Sequence, residues 1–396
     1  MPVATARKDH LKFVVILGAL TAFAPLSIDM YLPAFPSIAA HFHASDGAVQ
    51  ATLAIYFVGL ALGQGVLGPL SDRTGRLPPL LIGIAAYVLA SLWAANAANI
   101  ESLTAARLVQ ALGGCAGIVI GRAMVRDLFD ERESAQVFSM LMLVMGIAPI
   151  LAPLMGGFLV AHYDWSVIFW LLAGFGLLCA IAVLLGLGET LPVQKRHKGG
   201  VVHVLRAYVA LFGDGPFMAF SLANACISGA MFAYITGSPF VFIELHRLSP
   251  EHFAMVFGMN ALGLIAASQV NAFILRRASI SGRTILKALM SLHLVASLAL
   301  LGFSFFTPSA LVPLMICLFI VVGSVGLIGA NATAAAMSRA GLHIGAAAAL
   351  TGIIQFALAA AAGGIVGALN DGTAMPMAAT IAGLSFAGSL ARFFAR

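Results

Sequence analysis

VQATLAIYFVGLALGQGVLGPL, residues 49–70, followed at once by SDRTGR at 71–76, decides what kind of chain this is. The first stretch carries no charge and is long enough to cross a bilayer core of roughly 30 Å as a helix, which takes about 20 apolar residues. Asp72, Arg73 and Arg76, with Gly75 among them, then mark a tight turn in water. The same alternation of long apolar run and short polar break extends in both directions. It predicts spans near 12–36, 49–70, 79–96, 101–122, 135–160 and 166–187, and a second set near 216–243, 253–275, 284–306, 310–337, 345–369 and 375–394.

The whole chain agrees with that local reading. Of its 396 residues 61% are hydrophobic and 9% charged, against about 25% charge in soluble domains, so soluble enzymes are excluded. Porin-like barrels are excluded too, because their strands alternate polar and apolar residues. The 41 glycines and 16 prolines within apolar runs suit bundled membrane helices. Cys115, Cys179, Cys226 and Cys317 each stand alone in a different run and are read as packing residues, with no metal site and no cofactor expected. The basic start (Arg7, Lys8, Lys12) fits either a signal peptide or a first span; since the apolar run continues past Asp29, it is taken as the span.

With the N-terminus in the cytoplasm, nearly all Lys and Arg, including Arg73, Arg76, Arg122, Arg126, Lys195, Arg196 and Lys198, fall on the inner side. Arg247 alone falls outside and Arg107 lies within the membrane. The net charge of +6 is therefore assigned to orientation rather than to nucleic acid, and both termini are expected in the cytoplasm. The most polar stretch divides the chain into a six-helix half at 1–188, a cytoplasmic linker at 189–210 and a second six-helix half at 211–396. Laying Gly75-Arg76 on Gly282-Arg283 brings Pro33 next to Pro239, a weak repeat of the kind found in transporters that rock about a midplane site.

Four segments carry a resemblance. The loop Gly68-Pro-Leu-Ser-Asp72-Arg73-Thr-Gly75-Arg76 is similar to the signature loop of the major facilitator superfamily, with Leu77 where a second basic residue is usual. Arg107-Leu-Val-Gln110-Ala-Leu-Gly113-Gly114 resembles the arginine motif of proton-coupled members. Ala152-Pro153-Leu-Met-Gly156-Gly157 resembles the antiporter motif of the drug exporters, with Ala148 and Ala152 where glycines are usual. With Ser27-Ile-Asp29-Met30-Tyr31-Leu32-Pro33 and the closing Gly188-Glu189-Thr190-Leu191-Pro192, the chain resembles the Bcr/CflA branch of twelve-span drug:proton antiporters. The resemblance implies an all-α major facilitator fold, and a non-enzymatic multidrug efflux transporter of the bacterial inner membrane. The resemblance further implies a monomer that works by alternating access, with small amphipathic drugs, protons and lipid as its partners and no nucleic acid. A proton-coupled metabolite uptake symporter shares the fold and stays open as the alternative, the antiporter segment being what favours export.

Asp29 and Arg107 are the clearest ionisable residues deep in the spans, each about 10 Å below the same end. Burying a charge there costs about 2.5–3.5 kcal/mol on insertion scales, so they are candidates for proton coupling, Asp29 as the acid and Arg107 as its tuning partner across the first half. A structural ion pair, or an Asp29 that caps a proline-bent helix, is the competing reading. Related exporters have a second carboxylate where this chain has Thr21. The resemblance lines the cavity with Asp29, Met30, Tyr56, Gln110, Met142, Met145, Asn224, Tyr234, Asn260, Asn331 and Gln355, although Met and aromatic residues in spans are as often simple packing. Gly68, Asp72, Arg73, Gly75, Arg76 and Arg126 form the expected conformational loop; Pro149 and Pro153 bend the fifth span, and Gly156 and Gly157 admit a close neighbour. His293 is read as structural.

Overall fold

The computed structural model describes residues 3–196, 201–277, 282–339 and 344–394. His197 and Lys198 of the polar linker and the terminal Arg396 fall outside them. Among the described residues there is no strand. The first half contains α1 (Val3–Thr21), α2 (Phe23–Asp29), α3 (Phe35–Phe42), α4 (Asp46–Thr74), α5 (Leu77–Ala95), α6 (Ile100–Leu128), α7 (Glu131–His162) and α8 (Ser166–Gly186). After α9 (Val201–Gly213) come α10 (Gly215–Pro239), α11 (Pro250–Arg277), α12 (Gly282–Phe306), α13 (Leu311–Met337), α14 (Ile344–Ala368) and α15 (Met375–Phe393).

Among the described residues eleven segments are long and apolar enough to cross a membrane, the first being Lys12–Phe42. α15 completes twelve; Pro376, two serines and Arg392 dilute its apolar character, yet it packs along α10 and α12. An even number of crossings brings both termini to one face of the bundle, called the terminal face below.

The first span departs from the single helix expected. It is broken into α1, α2, a 3-10 turn at Leu32–Ala34 and α3. Pro25 and Pro33 supply the reason: each lacks the N–H that would bond the carbonyl four residues back, and α1 and α2 end at those positions, Thr21 and Asp29. Asp29 thereby sits at a helix end inside the membrane. The linker also holds more structure than expected, a 3-10 turn at Val193–Lys195 and then α9, an amphipathic helix packed against α10 and α14.

Within the first half α4, α5, α6 and α8 pack side by side; in the second, α10 packs on α13, α14 and α15, and α12 on α13 and α15. The halves meet along α4 with α14 and α7 with α11. Away from the terminal face they close tightly. A Cβ at Gly47, in the first turn of α4, would collide with the Gly367 carbonyl on the last turn of α14. One at Gly157 of α7 would lie 3.1 Å from the Pro250 carbonyl that opens α11.

Candidate functional site

A cavity of about 520 Å³ lies between the halves. Its walls reach from Asp29 and Tyr234 near mid-bundle to Arg122, Met337 and Ala348, close to the terminal-face ends of α6, α13 and α14. With the opposite end sealed by the Gly47–Gly367 approach, the cavity opens toward the terminal face.

Asp29, Met142, Met145, Tyr234, Asn260 and Gln355 of the expected set line it, and Pro149 contributes to the wall. Tyr234 is fixed by the Asn260 side-chain amide, which donates to its hydroxyl at 2.8 Å, and by stacking on Phe257 with centroids 5.5 Å apart. Asp29 is 4% exposed and, among the described residues, has neither an ion pair nor a side-chain hydrogen bond. It is the one acid on the cavity wall.

Arg107 does not pair with Asp29, contrary to expectation. Its guanidinium is fully buried inside the first half, away from the cavity. Nη1 donates to Gln110 Oε1 at 2.6 Å and Nη2 to the Ser27 carbonyl at 3.0 Å. The plane lies over the Tyr56 and Tyr31 rings, 4.2 and 4.5 Å from their centroids, with Phe169 at 5.8 Å. Gln110 is held in turn by donating to Ser91 Oγ at 2.8 Å. The π faces supply negative potential that no carboxylate provides here. Functionally, Arg107 caps the end of α2 by bonding a carbonyl left free where the proline stops that helix, two residues from Asp29.

Five expected cavity residues are absent from the wall. Tyr56 and Gln110 belong to the arginine cage. Met30 is fully buried, and its carbonyl meets α7 where a Cβ at Gly156 would collide with it. Asn331 turns its amide to Asn271 Oδ1 at 2.9 Å and to the Leu327 carbonyl at 2.8 Å. Asn224 also lies off the wall, and so does His293, which exchanges a hydrogen bond with Ser324 Oγ at 2.8 Å. α7 runs unbroken over Pro149 and Pro153.

The charged loop is centred on Arg76. It pairs with Asp72 on α4 and, through Nε at 2.8 Å, with Asp127 Oδ2 on α6, and Nη1 donates to Ser71 Oγ. Glu189, from the segment that closes the first half, accepts the backbone N–H groups of Arg76 at 2.8 Å and Leu77 at 3.2 Å, so it caps α5 from the far end of the half. Thr190 donates to Asp127 as well. Burial pushes the Glu189 carboxyl up, but the N–H groups of Arg76, Leu191 and Leu77, with Arg196 3.8 Å away, outweigh it and hold the group below its ordinary value. Gly75 is needed twice over: its φ of 102° is left-handed, and a Cβ there would enter the Glu189 carboxylate. Gly68 has open contacts, while Arg73 and Arg126 are exposed and join no ion pair among the described residues.

Sequence reasoning missed Asp127 and Glu189 as loop partners, and Arg122 and Gln64 as cavity residues. The fourth span was expected to end at residue 122, whereas α6 continues to Leu128, which places Arg122 inside the wall.

The Major Facilitator Superfamily profile matches residues 17–368. A Bacillus subtilis protein called an uncharacterized MFS-type transporter, YdgK, is 37% identical over 98% of this chain and 96% of its own length. The bicyclomycin resistance protein homolog of Haemophilus influenzae is 30% identical over 98% and 97%. The multidrug resistance protein MdtL of Klebsiella pneumoniae is 28% identical over 73% and 72%. Among solved structures, the nucleoside transporter NupG superposes with a TM-score of 0.75 at 12% identity, covering 97% of this chain and 99% of that one. An inward-facing bacterial homolog of the lysosomal transporter Spinster gives 0.69 at 15%, covering 100% and 95%; these two likenesses speak for the fold alone. The relatives agree with the resemblance to the Bcr/CflA drug:proton antiporters, and the chain belongs to the major facilitator superfamily, a family of transporters rather than enzymes.

Proposed function

We propose that this protein exports small amphipathic drugs from the cytoplasm in exchange for protons, by alternating access of the central cavity. The observation that carries the reading is Asp29: among the described residues it is the one acid on the cavity wall and free of any ion pair, and it stands at a proline-made helix end. An unpaired carboxyl there is free to exchange its proton with the cavity and to let drug and proton compete for one site. Apolar and sulfur-containing walls, with Met142, Met145, Phe232 and Phe356, suit ligands of varied shape. The terminal face is cytoplasmic in this reading. Exposed Arg73, Arg126, Arg132, Arg206, Lys287 and Arg339 lie on it, while Glu101, Asp164, Glu244 and Asp371 lie at the other. The halves rock as units at 1–188 and 211–396, joined by the linker, and a single chain suffices because both faces of the cavity come from it.

The test is expression in a pump-deficient bacterium. Resistance to a drug panel rises with the wild-type chain and falls to background when a protonophore collapses the gradient. Asp29→Asn loses gradient-driven drug accumulation in inside-out vesicles. Resistance that survives the protonophore, or accumulation that survives Asp29→Asn, refutes the reading.

A further inference from the structure

Arg122 lines the cavity on α6 and is the one basic residue on its wall. It is exposed to that space and, among the described residues, has neither an ion pair nor a hydrogen bond. Among the acids whose side chains are described, those nearby are committed elsewhere. Asp127 and Asp72 hold Arg76, Asp130 and Glu133 form the reciprocal cap of α7, and Glu189 caps α5 and faces Arg196. Arg126, one turn further on, adds a second positive charge at the spacing where like charges repel. A guanidinium set against a mostly apolar wall with no internal counter-charge is costly, and a bound anion removes that cost.

The two poles of the cavity are well separated. Arg107 marks the depth of α2's end by bonding the Ser27 carbonyl, and Arg122 follows it on α6 by fifteen residues, about 22 Å at 1.5 Å each. Asp29 therefore sits at the deep end and Arg122 toward the mouth of a mostly apolar wall that also carries Gln64, Thr351 and Gln355.

From this we infer that Arg122 is a specificity residue that takes the carboxylate, or an equivalent anionic group, of an amphipathic substrate whose apolar body extends toward Asp29. The cavity selects zwitterionic or acidic amphipaths over purely cationic ones. The inference rests on the export reading only in taking this cavity as the drug site.

Rhodamine B, which carries a free carboxylate, and its ethyl ester, a cation with the same body, form the test pair. Their binding to the purified, detergent-solubilised protein is measured by fluorescence polarisation at neutral pH and low salt, with no gradient present. Wild type is expected to bind the acid about tenfold more tightly than the ester, the effect of about 1.4 kcal/mol. Arg122→Gln brings the two within about twofold, and Arg122→Lys, which keeps the charge, retains a preference for the acid; thermal unfolding of each variant confirms a folded sample. Equal affinities in wild type, preference for the ester, binding of neither dye, or an unchanged preference in Arg122→Gln overturns the inference. An intact preference in a protein whose vesicles show no gradient-driven drug uptake sinks the antiport reading and leaves the charge selection standing.

Discussion

Gly47→Ala tests the closed end of the cavity directly. The added methyl points at the Gly367 carbonyl, a rigid backbone atom on the last turn of α14, at a separation that real Cβ atoms do not adopt. α4 and α14 must part there, and over-packing of this kind costs typically about 1–3 kcal/mol. The substitution does not harm the helix itself: Gly47 lies in the first turn of α4 after the Ser45 cap, where Ala is a better helix former than Gly by up to about 1 kcal/mol. The penalty falls on this conformation alone, so by population arithmetic the balance shifts about 5- to 150-fold toward states in which this end is open and the terminal face closed. Gly367→Ala is milder, since its methyl would lie 3.1 Å from the Gly47 carbonyl.

Spin labels on cysteines replacing Arg73 and Arg339 read the change. Both positions are exposed on the terminal face, one in each half, and the four native cysteines are buried. Pulsed electron–electron distance measurements on the purified protein are expected to show a shorter population growing in Gly47→Ala and, to a lesser degree, in Gly367→Ala. A folded Gly47→Ala protein whose distance distribution matches that of the parent refutes the reasoning.

Arg107→Lys retains the charge but loses the planar stack on Tyr31 and Tyr56 and one of two charge-assisted hydrogen bonds; a destabilisation of about 2 kcal/mol is expected, measured as a lowered thermal transition in detergent. Gly75→Ala meets both a left-handed backbone, worth about 1–2 kcal/mol, and the Glu189 carboxylate, so it lowers thermal stability more than Gly68→Ala, where the nearest atom lies 3.8 Å away. Glu189→Gln is expected to lower stability near neutral pH and to converge with wild type in acid. The Glu189 carboxyl is held below its ordinary value of 4.5, so its contribution is complete above that value and is lost as pH falls through the still lower folded one. Thermal transitions of the two proteins that stay equally far apart down to pH about 3 contradict this.

How far the sequence disclosed this arrangement depends on the kind of information each feature needs. Membrane crossing requires only a continuous apolar run, and eleven of the expected twelve spans stand as such runs, with α15 completing the set. Depth is also one-dimensional: the sequence puts Asp29 and Arg107 near one level, and Arg107 bonds the carbonyl of Ser27, two residues from Asp29. Direction around a helix axis is not, and it separates the two: Arg107 faces tyrosines from α4 and the first span, and Asp29 faces the cavity. Arg122 was misplaced because a cation near the end of an apolar run looks like a loop residue. The helix runs six residues further, about 9 Å, and carries it indoors. α9 was hidden by the charges around it, although its apolar residues recur at helical spacing.

The short segment from Ser27 to Met30 is where these observations converge. Its first carbonyl is held by Arg107 from α6, its last abuts Gly156 of α7, and Asp29 lies between them with its side chain on the cavity wall. Pro33 has removed the helical bond that would otherwise stiffen this joint. In the proposed exchange, loading or releasing a proton changes the charge on a residue whose backbone neighbours are clamped to two helices, and one of those, α7, packs on α11 across the boundary between the halves. A proton event at Asp29 thus acts on the α7–α11 contact without any chain of ion pairs. An Asp29–Arg107 salt bridge would have worked against this, because a carboxylate neutralised by a fixed guanidinium has little reason to exchange its proton with drug. The cage of tyrosines lets Arg107 hold the joint while Asp29, among the described residues, stays without an ion pair, as the proposed exchange requires.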